Sequence, residues 1–407
     1  MTLFSNPFRK KSAEILDTPD KIATALEEYL SSYQSETGMK VTKDTAMRAA
    51  TVFGCVRVLC ESVGMLPCKL FEQAGLSKNT ATDHWLYQLL AVQPNGYMTP
   101  QEFWELVVAN LSWSGNFYAY KVRVRDEVRE LLPLANSSVK PKLGSDWVPE
   151  YEVTFANGKK ETLTQDDIWH VRLFSKDGLN GLSPIAYARE SIGLSLAAQK
   201  QGARWFANGV APSGVLSTDS KLTNDAMDRL AKQFKEKHVG SSNISNPLIL
   251  ELGLKWLSTS MNAQDLQFLE TRKFQRDEIC AMFRVPPHMV ANMDKATFSN
   301  IEHQSLSFVT NSLVPYLTRI EQRISIGLIP HGDRAKYFAK FNTGALLRGD
   351  MKARFESYRT GIQHGILSPN EARAFEDWNP REGGDIYLTP MNMTTDPEAD
   401  ESENKKP

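Results

Sequence analysis

Cysteine is scarce in this chain, and what there is makes no site. Cys55, Cys60, Cys68 and Cys280 are four thiols in 407 residues, with none of the spacings of a zinc or iron–sulfur centre. Three fall in or beside one amphipathic segment, where a free thiol acts as a small apolar side chain; this usage suits assembly in a reducing cytoplasm. Long apolar runs are missing too. None approaches the ~20 residues that span a bilayer, so no membrane partner is expected. The opening MTLFSNPFRKK has neither the apolar stretch nor the cleavage site of a secretory leader. Nor is there an excess of charge of one sign: 47 Lys and Arg face 48 Asp and Glu, a net charge of −1. Tight nucleic-acid affinity comes from many neutralised phosphates, so this balance argues against a protein that grips DNA.

Catalytic patterns are also lacking. Gly158–Lys159 has Val153 where a phosphate loop needs its first glycine and Lys160 where it needs Ser or Thr. Gly178 and Gly181 in KDGLNGLSP are too few for a dinucleotide fingerprint, and a following helix start explains them. The seven histidines are scattered. His170, in DIWHVR, is the best catalytic suspect, yet a lone strand histidine is more often a packed residue. Asp166 and Asp167 are adjacent, so on a strand they point to opposite sides and make a poor acid–base pair. No metal constellation and no cofactor site is visible, and no enzymatic activity is expected.

The chain does carry strong periodicity. Residues 45–64 place Val52, Val56, Leu59 and Val63 on one helical face, ended by Gly64 and Pro67. Thr99-Pro-Gln-Glu supplies an N-cap, a proline at the first helical position and a capping glutamate. The period then drops to two: FYAYKVRV, VRELLPL, YEVTF and KETLT, the last two joined by Asn157–Gly158, predict a small antiparallel sheet. Residues 41–180 thus read as one α+β unit. Two helices of similar length follow, Ser183 to about Ala207 and Asn262 to about Arg284, roughly 37 Å and 34 Å long at 1.5 Å per residue. Between them SGVLST, LTNDAMDRLAKQFKEK, PLILEL and LKWLST alternate strand, helix and strands. This pattern reads as two struts holding a small αβ tip, or as a helical hairpin folded onto the body.

The first strut lines up Arg189, Gly193, Ala197, Lys200 and Arg204, since eleven residues return to nearly the same face. Small residues between basic ones suit a close neighbour or a bulky polyanion. Arg189, Lys200 and Arg204 against Glu190 leave residues 183–208 at +2. On the second strut Arg272, Lys273, Arg276 and Arg284 are balanced by Asp265, Glu270, Asp277 and Glu278. Ion pairs within or between subunits and a DNA contact both fit such faces.

After the second strut the charged helix LETRKFQRDEICAMFR stops at Pro286–Pro287. A new helix opens at Ser299, which with Glu302 forms a capping box. The stretch Ala291–Phe298, with Asn292, Asp294, Lys295 and Thr297, is therefore held between two helices and displayed outward, as a contact loop or a plain connection. Leu306, Val309, Leu313, Leu317, Ile320 and Ile324 mark the next helix. Pro315 removes one of its hydrogen bonds and predicts a kink near Asn311–Pro315. From FNTGALLRGDMKARFESYR to AFEDW the chain reads as helical, with a capping box at Ser368 and Glu371. The tail TTDPEADESENKKP, with five acidic and two basic residues, reads as disordered.

Five passages in chain order resemble the portal proteins of tailed bacteriophages, the HK97-like family. They are TAMRAATVFGCVRVLCESVGMLPCKLFE, QPNGYMTPQEFWELVVANLSWSGNFYAY, DDIWHVRLFSKDGLNGLSPIAYARESI, WFANGVAPSGVL, and the charged helix, VPP, ATFSNIE and proline-bearing helix just described. The resemblance covers roughly residues 41–330. It implies an α+β subunit with a flexible N-terminal segment (1–40) and a wing of helices and strands (41–182). A two-helix stem (183–208 and 262–285) around a small αβ clip (209–261) follows. Next come a tunnel loop (286–300), a kinked channel helix (301–330) and a helical wing end and crown (331–393), before the acidic tail (394–407). It further implies a ring of about twelve copies at one capsid vertex, passing double-stranded DNA. The implied partners are the terminase large subunit, a head–tail connector, and the major capsid and scaffold proteins. The place of action is the virion, after assembly in the host cytoplasm. Asn292, Asp294, Lys295 and Thr297 would face DNA. The alternatives are an enzyme of the same packaging machine, a terminase or nuclease subunit, and a monomeric adaptor.

Overall fold

The computed structural model describes residues 35–388 apart from 208–213, most of 218–254, 259–262, 291–303, 344–350 and a few single positions. Through Asn342 the chain forms one compact unit, and Thr343 onward forms a second.

Helix α1 spans Ala50–Gly64 and buries Val52, Cys55, Val56, Leu59 and Val63. The expected start at Thr45 is displaced: Thr42 and Thr45 cap a separate turn over Lys43–Ala46, and residues 47–49 turn before α1 begins. Two strands that periodicity did not separate follow, β1 (Cys68–Ala74) and β2 (Ser77–Thr80). Helix α2 (Pro100–Ser114) starts as expected: Thr99 Oγ1 accepts from Glu102 N at 3.3 Å, and Glu102 accepts from Thr99 N at 2.8 Å.

The strand region forms two sheets instead of one. β3 (Asn116–Val124) lies between β4 (Glu127–Leu134) and β8 (Ile168–Arg172). β6 (Pro149–Thr154) lies between β5 (Val139–Leu143) and β7 (Lys160–Thr164). Asn157–Gly158 makes the expected hairpin, with Phe155 N donating to Lys159 O at 2.9 Å. Tyr118, Tyr151, Val153 and Ile168 pack between the sheets, so one face of each is spent on the other.

Helix α3 (Arg189–Ala207) is shorter than expected at its start. Ser183 caps a single turn, Pro184–Tyr187, and Ala188 departs from helical geometry before α3 continues. β9 (Gly214–Ser217) and β10 (Lys255–Ser258) pair antiparallel in the expected tip; PLILEL and most of the tip helix lie outside the described residues. Helix α4 spans Ala263–Phe283, close to its expected bounds, and packs on α3. After it, Phe308–Leu313 is a π-helix that runs into α5 (Val314–Gly327). Leu317, Ile320 and Ile324 are buried as the pattern requires, whereas Leu306 is half exposed.

The expectation of helix after Pro330 fails at Tyr337–Phe341, which is strand β11. It pairs antiparallel with β1, from Cys68 against Phe341 to Glu72 against Tyr337, making β1 the middle of a third sheet. Phe71 and Phe338 stack across it at 5.6 Å. The aromatic core joins these parts: Trp104 meets Phe341 at 5.0 Å, and Phe103 meets Trp169 at 6.3 Å. In the second unit α6 (Met351–Gln363) and α7 (Pro369–Phe375) form a helical pair. Ser368 and Glu371 make the expected capping box, and Glu376 takes both Arg354 at 2.7 Å and the Tyr358 hydroxyl at 2.9 Å.

Candidate functional site

Asn292, Asp294, Lys295, Thr297, Ser299 and Glu302 lie outside the described residues, but the two feet of their loop are well defined. At the first foot α4 ends in a Schellman arrangement. Arg284 N donates to Ala281 O at 3.0 Å and Val285 N to Cys280 O at 2.9 Å, with Arg284 at φ 56. Glycine usually fills this left-handed position, and a side chain there costs roughly 1 kcal/mol. Buried Val285 covers the helix end and Pro286 prevents its continuation. Pro287–Val290 then forms a short 3₁₀ turn. Val290 rests on α1: a Cβ built on Gly54 would lie 2.4 Å from Val290 Cγ1.

The second foot is the π-helix, and here the proline effect differs from a simple break. A π turn carries one extra residue, so the helix widens just ahead of Pro315, which then sits at the permissive start of α5. The Ser312 hydroxyl donates to Arg284 O, tying the feet together. Asn311 Nδ2 donates to Ser307 Oγ at 2.9 Å. Between the feet lies an open cleft of about 360 Å³, lined by Arg284, Pro286, Phe308, Thr310, Ser312 and Pro315. The sequence marked the double proline, while the Arg284 conformation and the Ser312 tie had no sequence signal.

The basic stripe divides. Lys200, Arg204, Arg272 and Lys273 are exposed, while Arg189 and Arg276 are half buried. Arg189, Lys273 and Arg276 already have partners within the chain. Gly193 is not open to a neighbour or polyanion, because Ser35 occupies it: a Cβ there would lie 2.2 Å from Ser35 Oγ. Glu36 N also donates to Glu190 Oε2 at 2.9 Å. Residues 35–37 thus pack against α3.

His170 is a packed residue. Asn116 Oδ1 accepts from Gly181 N at 2.8 Å and lies 3.1 Å from His170 Nε2. That oxygen therefore accepts, Nε2 carries the proton, and Nδ1 accepts from the Tyr151 hydroxyl at 3.3 Å. Burial, reinforced by Arg172 and Arg323, pushes the imidazole pKa down to about 3, so it stays neutral. Its work is to pin, through Asn116, the turn at Gly181 that leads toward α3. Asp167 is spent on Thr164, accepting from its backbone and its hydroxyl. Among the described residues no three His, Cys, Asp or Glu side chains gather as a metal site, and no helix is long and apolar enough to cross a membrane.

Lys121, unremarked in the sequence, is buried with its ammonium donating to Gln165 O at 2.7 Å and Gly327 O at 2.8 Å. Trp169 Nε1 donates to Arg323 O at 2.9 Å. Together they fasten the far end of α5 to the sheet of β3 and β8.

Residues 50–377 match the family model for phage portal protein. The chain is 33% identical over 375 residues to the portal protein of Enterobacteria phage HK97, covering 90% of this chain and 87% of that one. It is 32% identical over 374 residues to the probable portal protein of Streptomyces phage phiC31, covering 88% and 80%. Among solved structures, the neck of an empty gene transfer agent particle superposes with a TM-score of 0.59 at 24% identity, covering 83% of this chain and 94% of that one. An HK97-family phage portal protein from Corynebacterium diphtheriae superposes at 0.51 and 16% identity, covering 76% and 99%. With a family match across most of its length and a third of its residues shared with the HK97 portal protein, the protein belongs to the phage portal protein family.

Proposed function

We propose that the chain assembles head to tail into a closed ring of about twelve copies at one capsid vertex, and that double-stranded DNA enters and leaves through it. The observation that supports this best is the projection: α3 and α4 packed side by side with the β9–β10 pair between them in sequence. At about 1.5 Å per residue these helices run roughly 28 Å and 32 Å, long enough to hold a tip away from the body. The gene transfer agent neck of the same fold was computed with C12 symmetry, which supports the number of copies.

In this reading α3 and α4 are the stem and the β9–β10 tip is the clip that docks the terminase large subunit and later the head–tail connector. The sheets with α1 and α2 are the wing, completed by β11. The π-helix and α5 are the channel helix, and α6 and α7 belong to the crown, where capsid and scaffold proteins are neighbours. Ala291–Phe298 rings the narrowest part of the channel, with Asn292, Asp294, Lys295 and Thr297 toward DNA. Arg204 and Arg272 form isolated belts of charge. Near-neutral overall charge suits a conduit, because phosphates must pass without being held. The protein acts without catalysis of its own. Packaging by particles carrying deletions between Asn292 and Thr297 tests the loop: impaired filling or retention with intact rings supports it, and wild-type packaging reduces the loop to a connection.

A further inference from the structure

Two of the four cysteines face each other across the fold. Cys55 on α1 and Cys280 on α4 are 225 residues apart in sequence, yet their sulfurs lie 3.8 Å apart in hydrogen-bonding contact. Both side chains are fully buried, and both are free thiols. Cys60 and Cys68 are buried as well, but neither meets another sulfur among the described residues. The pair sits where α1 packs on α4. Gly54, beside Cys55, receives Val290, and Val285 N closes the end of α4 on the Cys280 carbonyl at 2.9 Å. Arg284, held at φ 56, makes this the strained turn of α4. Opening of that turn gives a small solute access to the thiols.

We propose that Cys55 and Cys280 form an oxidation site that takes a hydroperoxide and closes into a disulfide, stapling α1 to the end of α4. A disulfide holds its sulfurs about 2 Å apart, so side-chain rotation and a small helix shift close the remaining gap. Cys55 donates within the pair, and the bond it gives lowers the Cys280 thiol below its ordinary value. Cys280 is therefore the attacking sulfur. Its thiolate takes one peroxide oxygen and becomes a sulfenic acid, and the hydroxide released joins the proton that Cys280 lost, as water. The Cys55 sulfur then attacks the sulfenic sulfur, the S–S bond forms, and the Cys55 proton leaves with the hydroxyl as a second water. Two thiols are oxidised and one peroxide is reduced. Burial slows the step, which suits a modification made once. The occasion for it rests on the reading above: the chain folds inside a cell and leaves in a particle, passing from reducing to oxidising surroundings.

The purified protein is treated with hydrogen peroxide under native conditions. Intact mass, non-reducing peptide maps and melting curves are then recorded with and without dithiothreitol. The expected product has lost two hydrogens and yields a peptide pair joining Cys55 to Cys280. It melts at least about 5 °C higher, because the bond closes a long loop. Dithiothreitol reverses all three changes. Cys280→Ala forms no cross-link, while Cys55→Ala leaves a sulfenic acid on Cys280 that dimedone traps. The wild-type mass and peptide map decide by themselves, whether or not a variant folds. Thiols that stay free, or sulfinic acid at Cys280 without a cross-link, overturn the proposal, as does a cross-link through Cys60 or Cys68. A Cys55–Cys280 bond with an unchanged or lower melting temperature overturns the stapling role. Both sulfurs belong to one subunit, so failure of the staple shows in the peptide map and failure of the ring reading shows separately in the native mass.

Discussion

Replacing Gly54 by Ala tests how the loop's first foot is held. In the interior of α1 the change removes a helix penalty of about 1 kcal/mol. It also places a methyl 2.4 Å from Val290 Cγ1, and overpacking of this kind costs typically ~1–3 kcal/mol. The two terms oppose each other, so the expected net loss is about 0–2 kcal/mol. The sign of the single variant therefore decides little, and the double-mutant cycle with Val290→Ala decides more. Shortening Val290 removes the atoms that the new methyl meets, so in Gly54→Ala/Val290→Ala only the helix gain survives. The double variant should be more stable than the sum of the singles by about 1–2 kcal/mol, a coupling typical of side chains in contact. Chemical denaturation of the dissociated subunit, followed by tryptophan fluorescence, measures it. Additive effects within about 0.5 kcal/mol would refute the contact, and with it the claim that α1 sets the position of the loop's foot.

Other consequences are independent of that contact. His170 has a folded pKa of about 3 against roughly 6.5 when unfolded. Between those values the unfolded chain binds the extra proton, so stability falls on acidification by about 1.4 kcal/mol per pH unit. His170→Gln should flatten that limb of a stability–pH curve while leaving no turnover to lose. Lys295→Ala should leave assembly and equilibrium DNA affinity nearly unchanged, since one lysine releases few counterions, and should alter the rate of packaging or the retention of packaged DNA. Ser299→Ala should cost roughly 0.5–2 kcal/mol at its helix start, visible as faster proteolysis of the loop. The purified protein should show neither nucleotide hydrolysis nor metal-dependent nuclease activity; ATP hydrolysis abolished by one point change in this chain would contradict this.

Local signals carried far where they act within a few residues. Thr99-Pro-Gln-Glu, Ser368 with Glu371, and Asn157–Gly158 were legible because their hydrogen bonds close inside the motif itself. Contacts distant in sequence were not. β11 was read as helix because YFAKF is too short to show its period, and its identity comes from pairing with β1. The loop was read from the double proline, and its residues lie outside the described ones. The contacts of the flanking segments, Val290 on Gly54 and Ser312 on Arg284, depend on backbone geometry that composition does not encode. The neighbour of Gly193 on the α3 stripe was illegible for a related reason: the space is filled by Ser35, a partner far away in the sequence.

The central claim is that this chain closes into a ring, and the mass of the purified assembly under native conditions tests it most directly. The account predicts one species of about twelve subunits of 45.8 kDa each, with annular particles in negative-stain images. A sharp monomer peak across micromolar concentrations, with no annular particles, would contradict it.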